Sequence, residues 1–143
     1  EWEIHARIYA RRPDAGAVVH THSDHATALS ALRRAIPPFH YMIAGFGCDE
    51  IPCATYACFG SPALSATVIA ALGDKACACL MANHGAVTLG RDMTAAMGRS
   101  DKLEMLAKQY LLACAAGEPA LLSAAELAEV HLSYRSYGQQ SEK

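Results

Sequence analysis

The stretch Lys75–Leu89, KACACLMANHGAVTL, is two short apolar runs on either side of a turn signal. Residues 75–82 are too few for a stable helix and carry no charge after Lys75, so they read as a buried strand. Asn83-His84-Gly85 has the residue types that tolerate tight turns, and Ala86–Leu89 returns as a second strand. Cys77 and Cys79 stand two apart and share one face of the first strand, as small buried hydrophobes. A third run, Ala17-Val18-Val19-His20-Thr21-His22, is rich in β-branched residues and reads as another short buried strand.

Helical spacing surrounds these strands. Ile4 and Ile8 lie four apart within Trp2–Arg12, and Pro13-Asp14-Ala15-Gly16 ends that helix. Ser23 or Asp24 can cap a helix reaching about Ala35, where Pro37-Pro38 stops it. Ser61-Pro62 opens a helix to about Leu72, a cap followed by proline at the first helical position. Asp92 can cap the longest helix, whose apolar residues 96, 103, 107, 110, 111 and 114 keep one face until Gly117. Ser123 and Glu126 have capping-box spacing and start a last helix running to about Tyr134. Gly45, Gly47 and Pro52 break up residues 39–60, which read as short strands joined by irregular chain. Alternating helices and strands define an α/β class.

At 143 residues the chain has the length of a single domain, with no linker or repeat dividing it. A net charge of −2 offers no electrostatic case for nucleic acid or an anionic membrane surface. The longest apolar runs, such as Ala76–Ala82, fall far short of the ~18 residues a spanning helix needs. Glu1, Glu3, Arg7, Arg11 and Arg12 interrupt anything resembling a secretory leader. The six cysteines contain no C-x-x-C pair, which excludes a zinc ribbon or thioredoxin-like motif. A cytoplasmic protein with reduced thiols is the expectation.

The histidines carry the chemical signal. His20 and His22 leave the same face of a strand, with Cα atoms ~6.5–7 Å apart, a span one metal ion can bridge. A pair of hydrogen-bonded structural histidines accounts for this spacing as readily. His84 sits at the end of a second buried strand, where it can reach over the sheet edge toward the same point. Three imidazoles leave an open position on zinc, as catalytic sites do. His25, three residues after His22, can orient a ligand from outside, although packing or a backbone hydrogen bond is its default role. His5, His40 and His131 have no partner visible in the sequence.

His20-Thr21-His22, Asn83-His84-Gly85, Ile36-Pro37, the run His40-Tyr41-Met42-Ile43-Ala44 and Ile51-Pro52-Cys53 together resemble the class II aldolase/adducin family. Glu1-Trp2, Arg12-Pro13-Asp14 and Tyr137-Gly138 extend the resemblance over essentially the whole chain. It implies a three-layer α/β/α fold around a central mixed, largely antiparallel sheet. It further implies that residues 1–143 are one class II aldolase/adducin domain lacking its N-terminal portion, the part that carries the family's phosphate-binding residues.

By the same resemblance Glu1, His20, His22 and His84 hold a divalent cation, zinc or another, and Glu1, Tyr41 and Tyr137 are catalytic. The implied reaction is cleavage of a deoxy-ketose 1-phosphate to dihydroxyacetone phosphate and a small aldehyde, with zinc steadying the developing enediolate. Glu1 would leave the metal and shuttle a proton at the carbon next to the carbonyl. Tyr41 would come from a neighbouring subunit of a homotetramer and handle the proton of the aldehyde oxygen. Tyr137 would fold toward the site from the C-terminal tail. Lys75, Lys102, Lys108 and Lys143 all lie in polar settings, so no buried Schiff-base lysine is evident. The expected partners are a small phosphorylated sugar and further copies of the chain. A pentulose-phosphate 4-epimerase and a non-catalytic adducin-like binding module remain the alternatives, because one fold serves several functions.

Overall fold

A computed structural model describes residues 1–136. In chain order the elements are α1 (Trp2–Arg11), β1 (Ala17–Thr21), α2 (Asp24–Ala31), a 3-10 helix (Tyr41–Phe46), β2 (Cys53–Ala54), α3 (Pro62–Leu72), β3 (Ala78–Met81), β4 (Gly85–Gly90), α4 (Met93–Ala116) and α5 (Ala124–Ser136). The strands form one sheet in the order β1-β4-β3-β2. β1 and β3 run antiparallel to β4, whereas β2 pairs in parallel with β3. The sheet is therefore mixed and mostly antiparallel, as the resemblance implies.

Strand alternation separates two apolar layers. Cys79, Met81, Val87 and Leu89 face one way and pack with Ile4 and Ile8 of α1 and Leu64, Val68 and Leu72 of α3. Ala78, Leu80 and Ala86 face the other way, against Ala26 and Leu29 of α2 and Leu103, Leu106 and Ala107 of α4. Helices thus cover both faces, which completes the α/β/α sandwich. Every residue of β3 and β4 is buried, which explains why their sequences lack polar alternation. Among the described residues, no helix is long and apolar enough to cross a membrane.

Most helix starts follow their sequence signals. The Ser61 hydroxyl accepts the Leu64 N–H at 3.2 Å, and the Asp92 carboxylate accepts that of Ala95 at 2.7 Å. Ser123 and Glu126 form the reciprocal capping box, with the Ser123 N–H donating to the Glu126 carboxylate at 2.7 Å and the Glu126 N–H to the Ser123 hydroxyl at 3.3 Å.

Three local expectations need correction. α2 ends at Ala31 rather than near Ala35, because Arg33 takes a left-handed φ of 53° and Ile36 is drawn into a bridge with Ile51. Pro37 favours the extended backbone that this bridge requires. Residues 39–60 contain a 3-10 helix and the two-residue strand β2 instead of several short strands. The His40 ring caps that 3-10 helix by accepting the Met42 N–H at 3.2 Å, and Gly47 closes it at φ 75°. β3 begins at Ala78, so Cys77 precedes the strand and is only half-buried, unlike Cys79. All six cysteines are free thiols.

Candidate metal centre

The end of β1 and the β3–β4 turn meet at one edge of the sheet. His20 lies opposite Val87 in the β1–β4 ladder, and His22 follows one residue beyond the strand. The two rings sit 4.7 Å apart, centroid to centroid, on the same face. His84 occupies the turn between β3 and β4, where Asn83 adopts a left-handed φ of 55°. Its ring stands 5.0 Å from that of His20 and 4.9 Å from that of His22. The next residue must be glycine, since a Cβ at Gly85 would collide with the Thr21 carbonyl and stand 2.9 Å from the His22 ring.

Glu1 completes the cluster. It occupies the N-cap position of α1 but makes no side-chain bond to the helix. Its carboxylate spans the histidines instead, Oε2 lying 3.1 Å from His20 Nε2 and Oε1 lying 2.9 Å from His84 Nε2. One ligand atom from each of Glu1, His20, His22 and His84 lies within 4.8 Å of all the others. Arg12-Pro13-Asp14, which ends α1, is locked by a buried guanidinium that bonds Asp14 at 2.8 Å and the Ala76 carbonyl at 2.8 Å. That anchor ties the helix carrying Glu1 to the start of the chain leading into β3.

The donor chemistry fits a divalent cation. A carbonyl oxygen can only accept, so the 2.9 Å contact between His20 Nδ1 and Ala86 O puts the ring proton on Nδ1. Nε2 of His20 then offers a lone pair to the cluster, as when a metal-binding histidine donates its other ring N–H to a backbone carbonyl. His22 Nε2 comes to 3.0 Å of it. Two imidazole nitrogens at about 2.0–2.1 Å from one ion would be separated by a similar distance. Burial lowers the pKa of His84, with His20 and His22 adding to that effect and Glu1 opposing it. The neutral ring that results is the form able to ligate.

Tyr41, also proposed from sequence, lies elsewhere. Tyr41 begins the 3-10 helix, 49% exposed, with its ring stacked on His40 at 4.8 Å. It lines a cleft of about 590 Å³ with Met42, Lys102, Glu126 and Tyr134, and none of the four clustered residues borders that cleft. Tyr137 lies outside the described residues.

The fold pairs histidines with partners that the sequence did not name. His25 Nδ1 is 2.6 Å from Glu104 Oε1, and His131 Nε2 is 2.8 Å from Asp49 Oδ1. His5 follows Glu1 by one helical turn, and its pKa is lowered by burial and by the nearby His20. The four-residue spacing of Glu1 and His5 on α1 was a signal for that neighbourhood; His25 and His131 had none, because their partners are remote in sequence.

Comparison with known proteins identifies the family. Residues 1–111 match the family described as Class II Aldolase and Adducin N-terminal domain. The chain is 42% identical over 142 residues to a 5-methylthioribulose-1-phosphate/5-deoxyribulose-1-phosphate aldolase of Rhodospirillum rubrum, covering 99% of this chain and 64% of the relative. It is equally 42% identical, over 144 residues, to the L-fuculose phosphate aldolase of Escherichia coli strain K12, covering 100% of this chain and 66% of that one. A solved L-fuculose 1-phosphate aldolase superposes with a TM-score of 0.89 at 33% identity, over 94% of this chain and 63% of the other. The chain therefore spans just under two thirds of the length of these relatives.

Proposed function

The chain belongs to the class II aldolase and adducin family, and from that premise we propose that it is the metal-bearing part of an aldolase acting on a deoxy-ketose 1-phosphate. Convergence of Glu1, His20, His22 and His84 within 4.8 Å is the observation that carries the reading. A divalent cation held there, zinc by the three-imidazole donor set, would act as a Lewis acid on the carbonyl and hydroxyl oxygens of the ketose and spread the electron pair released by C–C cleavage.

The protein's own groups divide the remaining work. His20 keeps its Nε2 lone pair toward the cluster because Ala86 holds the Nδ1 proton. The bond between the carbon next to the carbonyl and the carbinol carbon breaks, the carbinol oxygen gives up its proton, and an aldehyde leaves. Glu1, which owes nothing to the cap of its helix, is free to swing aside and return a proton to the carbon that kept the electron pair. Tyr41, exposed and lining a cleft that none of the four clustered residues borders, would serve the carbinol oxygen in a neighbouring copy, so the active form would be an oligomer, a homotetramer by the family's pattern. Tyr137 would approach from the C-terminal tail.

Two curated relatives of equal identity divide the substrate question between L-fuculose 1-phosphate and the 5-deoxy or 5-methylthio ribulose 1-phosphates. Both kinds of substrate give dihydroxyacetone phosphate and differ in the aldehyde. The test is to supply each ketose phosphate to the full protein and follow triose release with a coupled dehydrogenase. Triose from at least one supports the aldolase. Isomerised pentulose with no free triose would make it an epimerase, and no metal with no turnover would make it a binding module.

A further inference from the structure

We propose that α2 is a strut fixing the separation of His22 and His84, clamped at its two ends by the positioning residues Glu104 and Ser30. The inference rests on the four-residue cluster being a metal site.

The first end begins where β1 stops. Only His22 and Ser23 separate Thr21 from Asp24, the first residue of α2, so the start of this helix sets where His22 stands. Ser23 takes the N-cap conformation yet makes no side-chain cap bond. The cap comes from α4 instead. Glu104 Oε1 accepts the backbone N–H of His25 at 2.9 Å, and Oε2 accepts that of Ala26 at 2.9 Å. The same Oε1 takes the His25 ring proton at 2.6 Å. A carboxylate bound to two unpaired N–H groups at the positive end of a helix forms charge-assisted bonds, stronger than a serine cap supplies.

The second end carries the other ligand. Ser30, fully buried in the last turn of α2, accepts the Asn83 N–H on its carbonyl at 3.0 Å. Its hydroxyl accepts the His84 N–H at 3.2 Å while donating to the Thr27 carbonyl at 2.8 Å. Just beyond the helix, Arg33 Nε donates to the Asn83 side chain at 2.6 Å. The strained turn that presents His84 therefore hangs on the C-terminal end of the helix whose N-terminal end follows His22. A short helix is stiff, so fixing both ends fixes two ligands relative to each other. α4, which supplies Glu104, also packs against β1 and β4, so the clamp refers both histidines to the sheet.

Zn2+ affinity by chelator competition and the visible absorption of bound Co2+ test the proposal in the full protein. Glu104→Ala and Ser30→Ala should each weaken Zn2+ binding by about 10–100-fold and shift the Co2+ bands, the range seen when an outer hydrogen bond to a ligand is lost. Glu104→Gln, which retains an acceptor oxygen, should recover part of the affinity. Val68→Ala in α3, in the apolar layer across the sheet from α2, removes buried core volume away from the clamp and should keep wild-type affinity and spectrum. Glu104→Ala and Ser30→Ala binding within about twofold of wild type, or Val68→Ala losing as much as they do, would overturn the strut. Should Glu104→Ala fail to fold, Ser30→Ala and Glu104→Gln carry the same readings. Wild-type protein that binds neither ion would remove the metal site and the strut together, whereas tight wild-type binding with unaffected variants removes the strut alone.

Discussion

His20 donates its Nδ1 proton to the carbonyl oxygen of Ala86 at 2.9 Å, a bond between two adjacent strands that decides which nitrogen of the ring faces Glu1 and His84. Because β1 and β4 pair with Thr21 opposite Ala86, the acceptor is part of the sheet ladder and has no freedom to move away. The sheet register thus sets the tautomer of a candidate ligand.

His20→Ala removes that ligand while leaving the ladder intact. The variant should lose metal by at least about 100-fold in affinity, more than the loss of an outer hydrogen bond costs, and lose turnover with it. Elemental analysis of dialysed protein beside the coupled triose assay checks both. Full zinc occupancy in the variant would show that His20 is not a ligand.

Much of this arrangement was legible because it follows from short-range pattern. The two short apolar runs on either side of Asn83-His84-Gly85 placed two strands and a turn, and the H-x-H spacing put two imidazoles on one face. His84 needed only the turn to join them. Glu1 had no local signal, since a glutamate before a helix reads as an ordinary exposed residue; the family resemblance alone promoted it. Residues 39–60 were misread because long-range contacts set their course, the Ile36–Ile51 bridge above all. Glu104 was missed for the same reason, as it caps a helix 79 residues away in sequence.

Stability should depend on Glu104 in a defined pH window. Burial alone would raise its carboxyl pKa, but the N–H groups of His25 and Ala26 and the His25 ring outweigh that and hold it at about 2, below the ordinary 4.5. A depressed carboxyl pKa stabilises the folded chain fully above the unfolded value and ceases to do so as pH falls through the folded one. Thermal midpoints of wild type should therefore exceed those of Glu104→Gln by a constant amount at neutral pH. The gap should shrink from about pH 4.5 downward and close near pH 2. A gap that stays constant across this range would mean the carboxylate charge contributes nothing.

The thiols should separate into two classes toward an alkylating reagent. Cys58 and Cys114 are exposed and should react first. Burial pushes the Cys48 thiol up to about 12, and the fully buried Cys79 is raised as well, chiefly by burial. Only thiolate reacts, so these two should label orders of magnitude more slowly in native protein and at full rate in denaturant. Peptide mapping after timed alkylation checks the order, and early labelling at Cys79 would contradict the packing of β3 against α1 and α3.

Tyr41→Phe separates binding from proton handling. The hydroxyl sits on an exposed ring whose neighbours are His40 and the cleft between the 3-10 helix, α4 and α5, none of them among the four clustered residues. Its loss should leave metal content and thermal midpoint at wild-type values, since no buried hydrogen bond is broken. If the phenol of one copy serves the carbinol oxygen in another, kcat should fall by about 10²–10⁴-fold, the usual worth of a positioned acid–base group, with KM little changed. Mixing Tyr41→Phe with a metal-dead His20→Ala chain gives a sharper reading. Hybrid oligomers pair an intact tyrosine from one copy with intact ligands from another, so activity should reappear in the mixture although each variant alone is nearly inactive. Failure to complement, with both chains shown to co-assemble, would place Tyr41 on its own chain's chemistry or on none.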